Sequence, residues 1–268
     1  IPSLPPHSNI AIHPFGVLVA TGILVGAWLT RRRGTKLGLQ DEMVRSMIFW
    51  SVFTGFVVAH AIDVFVYQEG DLGKKLLALL DPRSGLSSMG GFAGAVLGLW
   101  LWCKKNGQEV MAYADSLAFG LALGWMFGRL GCFVAHDHPG DLTQFFLGVD
   151  YPCRRPPCAP VEGWVFTGAT FRRHDLGLYE AIIAAALSTF YLVMERLRPR
   201  KGFFVAAIAL YYGPVRFFLD YLRASDVEGA DPRWLGLTPA QYAAIGVTLI
   251  GVLLAVRVAR RPAEFPSS

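Results

Sequence analysis

Residues 111–128 read MAYADSLAFGLALGWMFG, an apolar stretch in which Asp115 is the only charged residue. Its length is close to the roughly 20 residues that an α-helix needs to cross the hydrocarbon core of a bilayer. Comparable apolar blocks recur through the 268-residue chain, of which 17% is charged, and the mean hydropathy is +0.41. The sequence therefore predicts an all-α, polytopic membrane protein.

Seven segments are predicted to cross the membrane as helices. They are residues 10–30, 46–67, 89–103, 111–128, 176–194, 202–222 and 239–256. The third segment is short for a span. It is rich in glycine, at Gly90, Gly91, Gly94 and Gly98, and small residues of this kind permit close approach of a neighbouring helix.

Basic clusters are expected to mark one side of the membrane. Every second connection carries one: Arg31, Arg32, Arg33, Lys36 and Arg45; Lys104 and Lys105; residues 196–201; and Arg257, Arg260 and Arg261. The positive-inside rule assigns that side to the cytoplasm, so the amino terminus is expected outside and the carboxyl terminus inside. Because the clusters are short and separate, no nucleic-acid role is expected. The first span is followed, not preceded, by its positive cluster, so no cleavable signal sequence is expected.

Two outer segments are not predicted to span. Residues 71–82 place leucines beside lysines, which is typical of a short amphipathic helix in the membrane interface. Residues 135–175 form the largest extramembrane piece, and their prolines, glycines and aromatic residues predict a small, loop-rich cap or short strands. Residues 1–268 are thus predicted to be a single transmembrane domain with an outer cap. Cys153 and Cys158 lie in that cap, and the sequence leaves open whether they are bridged.

Ionisable residues are expected to gather at the outer ends of the spans. They are Arg129 after the fourth span, Tyr179 and Glu180 at the start of the fifth, Arg216, Asp220 and Arg223 near the end of the sixth, and His60 and Asp63 near the end of the second. The i, i+4, i+7 spacing of Arg216, Asp220 and Arg223 predicts one helix face. Paired guanidiniums suit a phosphate, so an anionic lipid head group is the expected ligand. The alternative is a structural network with the pairs Arg129–Glu180 and Arg216–Asp220.

A second polar group follows Arg129 closely: His136, Asp137 and His138, before Pro139 and Gly140. Histidine can act as a general base near neutral pH, and a flanking carboxylate can orient it. His174, next to Asp175, is a third candidate base. The competing functional interpretation of these residues is a metal site. The structural interpretation is that they only form the turn before Pro139 and Gly140. Two histidines two positions apart are weak grounds for a metal, and no nucleotide motif is visible, so neither metal nor cofactor is expected.

Four segments resemble, in the same order, those of one family of bacterial inner-membrane enzymes, the prolipoprotein diacylglyceryl transferases. Residues 128–133, GRLGCF, with the later Gly140, resemble the Gly-Arg-x-Gly-Asn-Phe signature. Residues 173–180, RHDLGLYE, resemble the Arg-His-Pro-x-Gln-Leu-Tyr-Glu segment, and residues 212–223, YGPVRFFLDYLR, the Arg-x-x-x-Glu-x-x-Arg helix. Residues 237–241, LTPAQ, resemble the start of the last helix.

The resemblance implies transfer of the diacylglyceryl group of phosphatidylglycerol to the lipobox cysteine of a prolipoprotein signal peptide, with release of glycerol phosphate. It implies catalytic contacts from Arg129 and Arg216 and substrate contacts from Arg223, Asp220, Gly140, Tyr179, Glu180 and His174. The alternatives are a phospholipid-dependent transferase with another acceptor and a non-catalytic protein that binds anionic lipid.

Two departures from the family pattern concern the acceptor thiol. Met89 stands where the family carries the histidine of a His-Gly-Gly motif, and Cys132 replaces the signature asparagine. A methionine cannot take up a proton, so His136 or His138 is expected to supply the general base in its place.

Overall fold

The computed structural model describes residues 13–68, 70–81, 85–152, 170–226 and 233–260. This part of the chain holds eight α-helices and a three-stranded sheet. The helices are α1 (Pro14–Lys36), α2 (Asp41–Ile62), α3 (Leu72–Ala78), α4 (Ser88–Lys105), α5 (Val110–Ala135), α6 (Leu176–Arg196), α7 (Phe203–Leu219) and α8 (Pro239–Arg260). A π-helical turn, Asp63–Tyr67, continues α2, and a 3₁₀ turn, Asp220–Leu222, continues α7.

Six helical stretches are long and apolar enough to cross a membrane. They are Pro14–Lys36, Asp41–Val66, Val110–Ala135, Leu176–Arg196, Phe203–Leu222 and Pro239–Arg260. Large apolar side chains on them face outward; Leu24 is 71% exposed and Leu253 is 62% exposed. Such surfaces are unfavourable in water and are satisfied by lipid. The chain is therefore a mostly helical, multi-pass membrane protein, as predicted.

The helix α5 is longer than the apolar segment that predicted it. It continues to Ala135 instead of ending near Gly128. Arg129 consequently lies inside the helix and not at its outer end, which corrects the prediction. The apolar pattern breaks at Arg129, but a helix can continue through a charge that finds a partner.

The basic cluster after the first span is likewise helical and not a loop, because α1 continues to Lys36. Arg33 within it is buried, and its Nη2 lies 3.3 Å from Oδ2 of the equally buried Asp115 on α5. This ion pair explains how a charged residue is accommodated within the apolar segment 111–128.

The chain divides into two compact units. The smaller unit covers Ala27–Ala118, and the larger unit covers Ile1–Gly26 together with Phe119–Ser268. The smaller unit contains α2, α3 and α4, and the larger unit contains the sheet, α6, α7 and α8. The expectation that residues 1–268 act as a single transmembrane domain stays a prediction.

In the smaller unit, α4 packs closely along α2 through its glycines. A Cβ placed on Gly94 would lie 2.5 Å from the carbonyl oxygen of Thr54 and 2.7 Å from Cβ of Val58. A Cβ on Gly90 would lie 2.9 Å from Cα of Ala59. The close approach predicted for the third apolar segment is therefore present in the structure.

This contact gives a test of the helix pair. Gly94→Ala is expected to destabilise the protein by about 1–3 kcal/mol, because the added methyl group must push α2 and α4 apart. The measurement is the thermal unfolding midpoint in detergent. Gly246→Ala on α8 is the matched control, since a Cβ there would meet nothing within 4 Å. Equal midpoints for the two variants would contradict the packing described.

Within the segment 71–82, Leu72–Ala78 form the short helix α3, as predicted, and its place in the membrane interface stays a prediction. Its N-cap is Asp71, whose Oδ1 accepts a hydrogen bond of 2.8 Å from the Lys74 backbone N–H. The ring of His60 contacts the carbonyl oxygens of Leu79 and Gly85 at 3.2 and 3.4 Å. His60 thus fastens the end of α2 to the chain around α3 within the smaller unit, and its predicted place on the outer face beside Arg129 stays a prediction.

In the larger unit, the predicted cap contains a small antiparallel sheet. Its strands are β1 (Pro139–Leu142), β2 (Val149–Pro152) and β3 (Thr170–Asp175), in the order β1-β3-β2. In the β2–β3 register, Val149 faces Arg173 and Pro152 faces Thr170. The predicted strands are therefore present. Cys153 and Cys158, whose bridging the sequence leaves open, lie outside the described residues.

Candidate active site

Glu180 lies at the centre of a buried group of ion pairs in the larger unit. Its side chain, on α6, is 1% exposed. Oε2 lies 2.9 Å from Nε of Arg129 on α5, and Oε1 lies 2.8 Å from Nη1 of Arg216 on α7. One carboxylate therefore fixes guanidiniums from two helices, and the predicted pair Arg129–Glu180 is confirmed. Because these groups are removed from water, their attraction is stronger than that of a surface ion pair.

Asp220 supplies the second carboxylate of the group and is fully buried. Its Oδ1 lies 2.8 Å from Nη2 of Arg216 and 3.5 Å from Nε of Arg223. The predicted pair Arg216–Asp220 is confirmed. These five side chains, Arg129, Glu180, Arg216, Asp220 and Arg223, are called the ionic cluster below. Three guanidiniums face two carboxylates, so the cluster carries one net positive charge and favours an anionic ligand.

Arg223 does not lie on the helix face predicted for it. The regular helix ends before the 3₁₀ turn Asp220–Leu222, and Arg223 has extended backbone angles, φ −71° and ψ 132°. The i, i+4, i+7 prediction is therefore wrong for its last member. Instead, the backbone of Arg223 forms an antiparallel bridge with Gly140 of the cap. The cap, rather than α7, holds Arg223 beside the cluster.

Gly140 is the residue that permits this contact. A Cβ on it would lie 2.5 Å from the carbonyl oxygen of Leu222 and 2.7 Å from Cβ of His174. A larger residue would displace the chain that carries Arg223. The structure therefore gives Gly140 a packing role, while its predicted contact with substrate stays a prediction.

The start of α8 is joined to the ionic cluster through Thr238. Its hydroxyl donates to Oδ2 of Asp220. Thr238 and Gln241 also form a reciprocal capping box, in which Gln241 N–H donates to Thr238 Oγ1 at 3.2 Å and Thr238 N–H donates to Gln241 Oε1 at 3.0 Å. The side-chain amide of Gln241 then donates to the carbonyl oxygen of Phe217 at 3.1 Å. The Thr-x-x-Gln spacing is a sequence signature of such a cap, but the contact with Asp220 is tertiary.

Two aromatic rings support the arginines and were not expected from the sequence. The guanidinium of Arg129 lies 5.0 Å from the ring centre of Trp125, within cation–π range. Tyr212 packs edge-on against Trp125 with ring centres 4.6 Å apart, and its hydroxyl is 3.5 Å from Oε2 of Glu180. Both aromatic residues stand four positions before an arginine of the cluster, a spacing that puts them on the same helix face.

An apolar crevice adjoins Glu180. It is narrow, with a volume of about 20 Å³, which is room for little more than one water molecule. Its lining comes from α5, α6 and α7 and includes Ala122, Trp125, Ile183, Leu187, Ile208 and Val215. Apolar side chains thus lie directly beside the buried carboxylate of the ionic cluster.

His136 ends α5 and reverses the chain. Its φ is +53°, in the left-handed region that is uncommon for residues other than glycine. Its Nδ1 lies 2.6 Å from the carbonyl oxygen of Phe133, and its ring centre is 5.1 Å from that of Tyr151. These contacts give His136 a structural role at the helix end.

His138 is the histidine that the structure brings to the ionic cluster. Its Nδ1 lies 2.5 Å from Oδ1 of Asp137, and its Nε2 lies 3.3 Å from Nη1 of Arg129. A guanidinium can only donate, so Nε2 accepts and Nδ1 carries the hydrogen that Asp137 accepts. The imidazole is 22% exposed. A carboxylate therefore orients His138 as the sequence predicted, and the other nitrogen faces a catalytic candidate.

His174 lies on the cap and bonds to Tyr179. Its Nδ1 is 2.6 Å from the Tyr179 hydroxyl. Burial lowers the pKa of His174, against the charge of Asp141, which raises it. A histidine with a lowered pKa is neutral at neutral pH, so His174 is suited to hydrogen bonding and not to pairing with a phosphate. The structure brings it to Tyr179, and no contact with an arginine of the ionic cluster is recorded among the described residues.

Asp175 caps α6 and positions the segment that carries Tyr179 and Glu180. Its Oδ1 accepts from the Leu178 backbone N–H at 2.8 Å, and its Oδ2 accepts from the Tyr151 hydroxyl at 2.6 Å. Burial raises the pKa of the Asp175 carboxyl, while the bonds from Tyr151 and Leu178 lower it. The cap is worth about 1 kcal/mol to the helix.

Arg173 ties the cap to the chain that follows Arg223. It forms a bidentate pair with Asp226, at 2.8 and 2.6 Å, and donates to the carbonyl oxygen of Gly140 at 3.1 Å. The hydrogen bonds from Arg173 lower the pKa of Asp226. Arg173 thus reinforces the bridge between Gly140 and Arg223.

Fold and site together define a multi-pass membrane protein with a buried, arginine-rich ionic cluster beside a narrow apolar crevice. The chain belongs to the prolipoprotein diacylglyceryl transferase family, whose sequence model matches residues 4–257. Several curated relatives carry the name phosphatidylglycerol–prolipoprotein diacylglyceryl transferase.

The chain is similar to these relatives over nearly its whole length. It is 28% identical to the enzyme of Bacillus cytotoxicus over 264 residues, 95% of this chain and 93% of the relative. It is 26% identical to that of Chromohalobacter salexigens, covering 94% of this chain and 90% of the relative. It is 28% identical to the enzyme of Stenotrophomonas maltophilia, covering 96% of this chain and 91% of the relative. The family resemblance read from residues 128–133, 173–180, 212–223 and 237–241 is therefore confirmed.

Proposed function

We propose that this protein transfers the diacylglyceryl group of phosphatidylglycerol to the lipobox cysteine thiol of a prolipoprotein signal peptide and releases glycerol phosphate. The observation that carries the proposal is the fixing of Arg129 and Arg216 by one buried carboxylate, Glu180, at 2.9 and 2.8 Å. The leaving group is a phosphate ester that gains negative charge as the carbon–oxygen bond breaks. Preorganised guanidiniums in a low-dielectric site stabilise that charge more than they stabilise the substrate.

The proposed topology has seven spans, with the amino terminus outside and the carboxyl terminus in the cytoplasm of a bacterial inner membrane. The helix α4, third in chain order, is the span that this topology adds to the six long apolar helices. Its 18 residues extend about 27 Å, close to the thickness of a hydrocarbon core. Its basic end, Lys104 and Lys105, lies on the same side as Arg257 and Arg260 in this topology. Residues 135–175 then form an outer cap on a single transmembrane domain.

The donor lipid binds with its phosphate at the ionic cluster. Arg129 and Arg216 contact the phosphate, and Arg223 contacts it from the cap side. Glu180 and Asp220 hold the guanidiniums in place, and their buried positions support this role. Tyr179, His174 and Gly140 form the wall next to the glycerol group of the lipid.

The acceptor thiol is activated at His138. His136 is the weaker candidate, because its left-handed backbone and its contacts with Phe133 and Tyr151 hold it at the helix end. His138 is oriented by Asp137 through Nδ1–H. Its Nε2 accepts from Arg129 at 3.3 Å and must be released from that guanidinium to take up the proton of the thiol. A thiol with a pKa near 8.5 is mostly protonated at neutral pH. Loss of His138 therefore removes the base that converts the acceptor thiol to the nucleophilic thiolate.

Paired variants test this assignment. His138→Ala is expected to lower kcat with a lipobox peptide by about 10²–10⁴-fold, the range typical of a lost general base. His136→Asn is the matched control, because asparagine tolerates the left-handed conformation and should retain most activity. The measurement is thioether formation by mass spectrometry with phosphatidylglycerol in detergent. Full activity of His138→Ala would remove His138 from the mechanism.

Complementation of a transferase-depleted strain tests the function as a whole. Rescue by the protein and loss of rescue by Arg129→Ala support the proposal. Failure to rescue, with continued turnover of phosphatidylglycerol, indicates a transferase with another acceptor. Failure with lipid binding and no turnover indicates a non-catalytic lipid-binding protein. Western blotting of membrane fractions controls for expression of each variant.

A further inference from the structure

A groove lies between α2 and α4 in the smaller unit. Its volume is about 260 Å³, against about 20 Å³ for the crevice beside Glu180. Side chains spaced three or four residues apart line it, so each helix contributes a single face. The lining residues include Ser46, Trp50 and Thr54 on α2 and Gly98, Trp102 and Lys105 on α4.

The two helices run in opposite directions, which gives the groove two different ends. A Cβ on Gly90, at the start of α4, would lie 2.9 Å from Cα of Ala59, near the end of α2. Towards the end of α4, the Trp102 Nε1–H donates to Oγ of Ser46 at 2.9 Å, near the start of α2. The end of the groove at Ser46 also contains Lys105 and is called the polar end below.

The polar end presents hydrogen-bond donors and a positive charge. Ser46 accepts from Trp102, so its own hydroxyl hydrogen is available to a ligand. Asn106 uses one amide hydrogen on the carbonyl oxygen of Trp102, at 2.8 Å, and has a second one left. Within the described residues, Lys105 has no hydrogen bond or ion pair, and it is the one ionisable side chain of the lining. Three donors and one positive charge suit a phosphate group.

The rest of the groove is apolar. Trp50 and Leu101 line it, and Gly98 adds no side chain. The Thr54 hydroxyl donates to the carbonyl oxygen of Trp50 at 2.6 Å, so its hydrogen is already used. From Ser46 to Thr54 the groove extends about 12 Å along α2. It can therefore hold the upper part of one hydrocarbon chain next to a polar head.

Lysine and tryptophan side chains place the polar end at the level of the lipid head groups. Lys105 is the last residue of α4, and the ammonium of the neighbouring Lys104 lies 4.3 Å from the ring centre of Trp100. Trp50, in the groove, is 42% exposed. Tryptophan is enriched where a membrane meets water, and basic residues mark the cytoplasmic side. In the proposed topology the groove therefore opens to the cytoplasmic leaflet.

We propose that this groove binds an anionic phospholipid of the cytoplasmic leaflet, with the phosphate at Lys105 and one acyl chain along Trp50. The inference goes beyond the transferase reaction, because the smaller unit holds no residue of the ionic cluster. Basic pockets between membrane helices on the cytoplasmic side bind anionic head groups in other proteins. A zwitterionic head group carries its own cation, which Lys105 would repel. Charge complementarity thus favours phosphatidylglycerol over phosphatidylcholine.

Photo-crosslinking with mapped adducts tests the site. The full-length protein in detergent is mixed with a limiting amount of phosphatidylglycerol that carries a diazirine in the acyl chain near the glycerol. After irradiation, mass spectrometry of peptides locates the adducts. We expect adducts at Trp50 and Leu101 that unlabelled phosphatidylglycerol prevents, and that phosphatidylcholine or free glycerol phosphate at the same concentration does not. Absence of adducts from these two segments, or equal competition by either of those compounds, would overturn the inference.

Variants of the two neighbouring lysines separate the site from general charge. Lys105→Gln should lower the groove adducts about 5-fold, the effect of one lysine at an anionic membrane surface, and Lys105→Arg should retain them. Lys104→Gln is the matched control, because both lysines lie in the last turn of α4 but Lys104 lies over Trp100 and does not line the groove. Adducts on α5 and α6, where the donor lipid is proposed to bind, should be unchanged in Lys105→Gln. An equal loss in Lys104→Gln, or an equal loss of the adducts on α5 and α6, would overturn the inference.

Discussion

Arg216→Ala is expected to lower kcat/KM for phosphatidylglycerol by about 10²–10³-fold, because it removes a guanidinium that is held by two carboxylates and that we propose stabilises the leaving phosphate. Glu180 lies 2.8 Å from one of its terminal nitrogens and Asp220 lies 2.8 Å from the other. Both terminal nitrogens of the Arg216 guanidinium are thus bonded to carboxylates, which sets the orientation of the guanidinium. Arg216→Lys keeps the charge but cannot bond to both carboxylates in this way, so it should recover only part of the loss.

The measurement is the rate of glycerol phosphate release at several concentrations of phosphatidylglycerol in mixed micelles. Loss of transition-state stabilisation lowers kcat, whereas loss of uniform binding raises KM alone. Arg45→Ala is the matched control, because this arginine is 62% exposed and pairs with Asp41 on the surface of the other unit. Wild-type kcat in Arg216→Ala, or an equal loss in Arg45→Ala, would contradict the assignment of Arg216 to the phosphate.

Glu180→Gln is expected to destabilise the protein by about 3–5 kcal/mol and to abolish activity. The substitution leaves Arg129 without its partner Glu180 and leaves Arg216 with Asp220 alone, and an uncompensated buried charge costs about this much. Glutamine occupies nearly the same volume, so the effect is that of the charge and not of a cavity. The thermal midpoint and chemical unfolding in detergent measure the change.

A double variant separates this charge effect from general damage. In Glu180→Gln/Arg129→Gln the unmatched guanidinium is also gone, so the double variant should be more stable than Glu180→Gln while remaining inactive. Glu42→Gln, an exposed residue in the first turn of α2, is the matched control and should change neither quantity. A Glu180→Gln protein as stable as the wild type would show that the cluster is not held by the buried carboxylate.

The membrane helices and the two ion pairs were predictable from the sequence. Apolar length determines a span because the bilayer has a fixed thickness. The pairs Arg129–Glu180 and Arg216–Asp220 were predictable because a charge at membrane depth requires a partner, and few are available. Asp220 lies four residues after Arg216, so their contact is local to the helix end.

The position of Arg223 was not predictable, because it depends on where α7 stops. A 3₁₀ turn and a bridge to Gly140 set its direction, and both are consequences of the cap. Likewise, Cys132 approaches Asp137 and His138 only because His136 adopts a left-handed conformation, which a residue-type pattern does not indicate. Sequence spacing therefore identified the histidines but could not distinguish the structural His136 from His138.

The most direct test of the account is the simultaneous measurement of both products. Purified protein in nanodiscs containing phosphatidylglycerol is incubated with a lipobox peptide, and the S-diacylglyceryl peptide and glycerol phosphate are quantified by mass spectrometry. We predict equal amounts of the two products, none with a peptide whose lipobox cysteine is replaced by serine, and none from Arg216→Ala within the same time. Folded, lipid-loaded protein that forms no thioether would contradict the claim that the ionic cluster serves diacylglyceryl transfer.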